Sequence, residues 1–167
     1  MIRTKATDPV ALMECEHQAI LALFDGYGAL LATQGTPAAR KTLADEICMA
    51  VTIHMRLENE MFYPVAKGAS PGAGTPEATD AEHAATRAQI AQLLSMQPHE
   101  PGYDARVLAL GQAIRRQVAE EREHLFPAVR TSGIDLAQLA SRLSERRLEL
   151  LTVADALREQ ALLPAYT

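Results

Sequence analysis

Apolar residues recur along this chain at a spacing near 3.6, the pattern of helices that bury one stripe and wet the other. Three such stretches open on the same signal, a Thr or Asp followed by Pro: Asp8-Pro9, Thr36-Pro37 and Thr75-Pro76. The side-chain oxygen accepts from unpaired N–H groups of the first turn, and the proline ring presets the backbone that turn needs. The first stretch places Val10, Met13, His17, Ile20, Leu21, Phe24 and Leu31 on one face, and the second Leu43, Ile47, Val51, His54, Glu58, Met61 and Val65. A third, from about Pro76 to Met96, aligns His83, Ile90 and Leu94; a fourth, from about Gly102 to Ala128, aligns Val107, Leu110, Ile114, Gln117, Glu121, His124 and Leu125.

Four long amphipathic helices joined by short connections predict an all-α, antiparallel up-down four-helix bundle. The connections are Thr33–Thr36, the Gly/Pro-rich turn Gly68–Thr75, and Gln97–Pro101. A fifth helix follows Gly133 with Leu136, Leu139, Leu143, Leu150, Val153 and Leu157 on one stripe, and it either covers a groove of the bundle or forms a homodimer. The chain thus reads as one domain over residues 1–167, with a bundle at about 8–130 and a C-terminal helix at about 133–161.

The second and fourth helices end alike, in MFYP and HLFP, so that Pro64 and Pro127 are expected to close them. Aligning these prolines sets His54 over Gln117, Glu58 over Glu121 and Met61 over His124, while EHQAI over EHAAT sets His17 over His83. The bundle reads as a duplicated helix pair.

Seven polar residues stand where the period calls for Leu or Ile: His17, His54, Glu58, His83, Gln117, Glu121 and His124. Burying such groups is costly unless each is paired or binds a metal. At ~1.5 Å of rise per residue, all seven lie within about 6–16 Å of the same end of an up-down bundle, in one slab. Imidazoles and carboxylates converging at one level make a first-row transition-metal shell, and their number suits two ions bridged by carboxylates rather than one tetrahedral zinc. A di-iron centre is the favoured reading, with zinc or another divalent metal as the alternative load. His54 and Glu58 at i,i+4, and Glu121 and His124 at i,i+3, aim at one centre.

A His on helix one, HxxxE before an aromatic-Pro on helix two, a His on helix three and ExxxxFP on helix four together resemble the hemerythrin-like (HHE cation-binding) family over residues 8 to 130. The resemblance implies two non-haem iron ions joined by an oxo or hydroxo bridge, and ligand roles for His17, His54, Glu58, His83 and Glu121. It also implies O2 or hydrogen peroxide as the small-molecule partner, in a carrier, a sensor or a protein with catalase-like peroxide breakdown; metal storage or buffering without redox turnover is the alternative. One position departs from the family pattern: Gln117 stands where the second HxxxE motif has its His, and an amide oxygen is a weaker ligand than imidazole. Either His124 supplies the missing nitrogen, which is the favoured expectation, or one ion keeps an open position.

Composition excludes other classes. The chain has 167 residues, 48% hydrophobic, with a formal net charge of −5, and its Lys and Arg form no cluster of the kind that tracks phosphates, so no nucleic-acid partner is expected. Arg115/Arg116 and Arg146/Arg147 read as solvated helix faces. No run of 18 apolar residues and no signal core after MIRTKATDPV appear, so no membrane partner and a cytoplasmic location are expected. Cys15 and Cys48 are expected to be buried reduced thiols, Tyr27 and Tyr63 to be core packing, and Glu14, Glu16, Glu60, Glu120 and Glu123 to face solvent. No GxSxG, P-loop or GxGxxG element is present.

Overall fold

The computed structural model describes residues 7–69 and 76–163, and every regular element among them is helical. Helix α1 (Pro9–Ala32) starts where Asp8 Oδ1 accepts from the Val10 N–H at 2.9 Å, and α2 (Pro37–Leu57) where Thr36 Oγ1 accepts from Ala39 N–H at 3.2 Å. Most of the expected Gly68–Thr75 turn, and the Thr75 cap, lie outside the described residues; α4 begins at Pro76 and runs to Ser95. Gly102, at φ 82, makes the left-handed turn that launches α5 (Tyr103–Glu120). Each long helix packs on two others, α1 on α2, α2 on α4, α4 on α5 and α5 on α1, which closes the four-helix ring.

Pro64 and Pro127 do not end helices two and four. A five-residue π-helical turn, Glu58–Phe62, carries α2 into α3 (Tyr63–Ala69), and a second, Glu121–Leu125, carries α5 into α6 (Phe126–Arg130). A proline cannot donate to the carbonyl four residues back, and its ring crowds that carbonyl. The widened turn accommodates both problems: Tyr63 N–H reaches Glu58 O, and Phe126 N–H reaches Glu121 O. The extra residue in each turn also shifts the buried stripe by one. Past Glu58 the inward positions are Phe62 and Ala66 rather than Met61 and Val65, which are half-buried.

The fifth helix covers grooves of the same chain. Helix α7 (Leu136–Thr152), capped by Asp135, packs across α1 and α2; the backbone breaks at Val153, and α8 (Ala154–Leu162) turns onto α2 and α4. Val153 was expected on the buried stripe, but the break leaves it exposed, while Leu150 and Leu157 on either side are buried. Arg146 and Arg147 are not idle solvated charges: they reach Glu60 and Glu16, tying α7 to the second and first helices. No helix among the described residues is long and apolar enough to cross a membrane.

The core falls into two apolar clusters. One gathers Ile20, Phe24, Tyr27, Ile47, Val51, Ile90, Val107 and Leu110; the other gathers Val10, Met13, Leu57, Phe62, Phe126, Leu139 and Leu143. The Phe24 ring of α1 packs against the backbone of α5 at Gly111, where an added Cβ would sit 2.9 Å from Phe24 Cδ1. Gly111→Ala therefore sets a clash of about 1–3 kcal/mol against a gain in helix propensity of about 1 kcal/mol. Thermal unfolding should show a Tm lower by up to about 8 °C; a higher Tm would show that Phe24 yields freely.

Candidate metal centre

Between the two apolar clusters lies a polar layer. On α1, His17 sits between Met13 of one cluster and Ile20 of the other; on the second arm, His54 and Glu58 lie beyond Val51 and around Leu57; on the fourth, Glu121 lies between Val118 and Leu125. His17, His54, Glu58, His83 and Glu121 are all buried, none more than 5% exposed. The periodicity that placed them on apolar stripes is what brings them inward, and both glutamates are the first residues of the two π turns.

His17, His54, Glu58 and Glu121 each offer a ligand atom, and these atoms all lie within 4.8 Å of one another. His17 Nε2 is 3.0 Å from Glu121 Oε2 and 3.8 Å from Glu58 Oε1; His54 Nε2 is 3.0 Å from Glu58 Oε1. Glu58 spans the layer, since its other oxygen, Oε2, lies 3.7 Å from His83 Nε2. These contacts lack hydrogen-bond geometry: all four carboxylate oxygens of Glu58 and Glu121, both nitrogens of His17 and Nδ1 of His54 are buried without a hydrogen-bond partner. Leaving so many strong polar atoms unsatisfied in one layer would be prohibitive for a purely structural core. A cation among them satisfies the carboxylate oxygens together with the Nε2 atoms of His17 and His54 that face them, so the residues present fit a metal.

The protons of the metal-free layer follow from its charges. Burial works against a charged His17, but contacts with Glu121 and Glu58 outweigh it and raise its pKa to about 9. Burial likewise opposes ionisation of Glu58, yet His54 and His17 hold its carboxyl below the usual range. Glu121, desolvated and facing the charge of Glu58, is pushed well above 4.5. Burial lowers the pKa of His83.

His124 is the exception to the expected ligand set: it is exposed and takes no part in the cluster. The π turn is the cause. One turn beyond Glu121 falls five residues on, so Phe126 takes the inward position and stacks on the His17 ring at 5.5 Å. Gln117, half-buried, instead touches His83: its side-chain nitrogen donates to His83 Nε2. The opposite nitrogen, Nδ1, donates to Asn59 Oδ1 at 3.0 Å. Sequence reasoning missed Asn59, which is exposed and off every stripe, and favoured core packing over a place at the site for Tyr63. The Tyr63 ring meets the edge of His83 at 5.6 Å, and burial raises its phenol pKa. Asn59 and Tyr63 also line a cleft of about 150 Å³ with Lys67, Thr79 and Asp80.

Tyr27 lies away from the layer, donating to Asp104 at 2.6 Å. Cys48 is buried, and burial pushes its thiol up to about 12, whereas Cys15 is exposed, contrary to expectation, because it falls on the outer face of α1.

A family model for the Hemerythrin HHE cation binding domain matches residues 8–129. Uncharacterized proteins of Mycobacterium tuberculosis (Rv2633c) and Mycobacterium bovis (Mb2666c) are each 29% identical over 111 residues, or 64% of this chain. The chain spans 66% of the length of these curated relatives. The crystal structure of a hemerythrin HHE cation binding domain-containing protein, the Rv2633c homolog from Mycobacterium kansasii, has the same fold, with a TM-score of 0.69 at 21% identity, covering 97% of this chain and 100% of that one.

The raised pKa of His17 has a sign that can be measured on metal-free protein. Folding favours the imidazolium, so its contribution is full below the unfolded value of 6.5 and is lost as pH rises through about 9. Glu121, also raised, acts in the same direction, and the depressed His83 opposes them only near its unfolded value of 6.5. Protein held in chelator should therefore unfold at lower denaturant at pH 9 than at pH 6.5; a flat or rising midpoint would contradict the charge assignment.

Proposed function

Because the chain belongs to the hemerythrin HHE cation-binding domain family, we propose that its buried His/Glu layer holds two non-haem iron ions and binds dioxygen or hydrogen peroxide there, as a carrier, a sensor or a peroxide-removing protein. The observation that carries this reading is the set of buried, unpartnered ligand atoms of His17, His54, Glu58 and Glu121 within 4.8 Å of one another. Nitrogen and carboxylate donors suit iron, and the two free oxygens on each glutamate suit a bridging role. Glu58 supports that role most directly, with Oε1 toward His54 and His17 and Oε2 toward His83.

The iron pair would supply Lewis acidity and electrons to a small oxygen-derived ligand. The chain's own residues prepare the site for it. Phe126 against His17, and Phe62 against Phe126 at 6.1 Å, exclude water from one side of the layer. Arg146 and Arg147 hold α7 over the first and second helices. The proton that His17 keeps at neutral pH must leave when the layer takes up cations, so metal uptake should release acid and low pH should drive metal out.

A second reading, metal storage or buffering without redox turnover, is favoured by one observation: Gln117 occupies His83 Nε2, where a further imidazole would have strengthened retention. Adding hydrogen peroxide to the iron-loaded protein separates the two, since sustained O2 evolution belongs only to the first.

Protein purified from iron-supplemented cells should carry about two irons per chain and absorb in the visible through oxo-to-iron charge transfer. A colourless, iron-free protein would overturn the proposal. In the same assay His54→Ala should lose most of its iron, whereas His124→Ala should match wild type; equal iron in both variants would place the site elsewhere.

A further inference from the structure

We propose that the centre is built in two unequal halves, and that Gln117 is a latch that competes with metal for His83 rather than a ligand. This inference rests on the di-metal reading above and deepens it. One half is complete as it stands: His17, His54, Glu58 and Glu121 already offer ligand atoms within 4.8 Å of one another, and His17 Nε2 and the carboxylate oxygens of both glutamates make no hydrogen bond that an ion would have to break. The other half centres on His83, which stands outside that group of four. Both of its nitrogens are engaged, Nδ1 as donor to Asn59 and Nε2 as acceptor from the Gln117 amide.

The two contacts on His83 act differently. Asn59 fixes the proton on Nδ1 and so leaves the Nε2 lone pair free to bind a cation, as an outer partner does for a ligating imidazole. Gln117 occupies that same lone pair. A second ion near Glu58 Oε2, 3.7 Å from Nε2, must first displace the amide, and a hydrogen bond lost in this way weakens binding by about two- to tenfold. The latched half is also the one beside the cleft, because Asn59 and Tyr63 both contact His83 and both line it. The first ion is held deep in the bundle, and the second is the exchangeable one.

The test is anaerobic calorimetric titration of chelator-stripped full-length protein with ferrous ion, with helicity checked for each variant. Wild type should bind in two steps, the second weaker by about two- to tenfold or more, the latch supplying that factor. Gln117→Ala should tighten the second step by about two- to tenfold and leave the first unchanged; Gln117→Leu, which keeps the bulk and lacks the amide, should do the same and serves if the alanine variant does not fold. His83→Ala should abolish the second step alone. A second step weakened or unchanged in both Gln117 variants overturns the latch, and two equal steps in wild type overturn the asymmetry while leaving the di-metal reading standing. No ferrous binding at all removes that reading itself.

Discussion

Two carboxylates and three imidazoles share one water-poor layer of this bundle, and their mutual attraction is the constraint around which the rest is arranged. Separately, each would be expensive to bury. Together they hold protons and charge in common: His17 keeps its proton because Glu121 and Glu58 face it, and Glu121 is raised by burial and by the charge of Glu58. The attraction is incomplete, since four carboxylate oxygens are left without hydrogen bonds. A layer that is charged, buried and under-satisfied is poised to exchange protons for cations.

The backbone of the second and fourth arms is adapted to that layer. Each arm passes its glutamate at the start of a π turn and its proline just past the end of it. The proline excludes ordinary α-helical bonding and the widened turn absorbs the exclusion, and a buried aromatic follows each glutamate, Phe62 four residues past Glu58 and Phe126 five past Glu121. One local feature thus places both the ligand and the apolar floor under it. The duplication extends to His17 and His83 but fails at Gln117, opposite His54, and the two halves of the layer differ there.

Much of this is legible in the chain. Pro after Asp or Thr marked the starts of α1 and α2, the 3.6 period gave four long helices, and polar residues on apolar stripes identified the buried layer through His17, His54, Glu58, His83 and Glu121. What the period could not show is a change of period. Counting on from Glu121 at α-helical spacing puts His124 inward, whereas the π turn gives that place to Phe126 and leaves His124 in solvent. The same slip misplaced Met61 and Val65. Val153 and Cys15 failed for simpler reasons, a break between two packing directions and a position on an outer face. Asn59 was invisible because an exposed residue that steadies an imidazole from outside leaves no mark on hydropathy. Gln117 was legible as a departure from the pattern, but its contact with His83 is a matter of three-dimensional neighbourhood.

The central claim is that the polar layer exists to hold metal. Anomalous diffraction at the iron edge from crystals of iron-loaded protein addresses it without reference to activity. The account predicts peaks in the layer, one in contact with His17, His54, Glu58 and Glu121, and any second one beside Glu58 and His83. Iron found only at exposed acidic side chains, with none at the five buried residues, would contradict it.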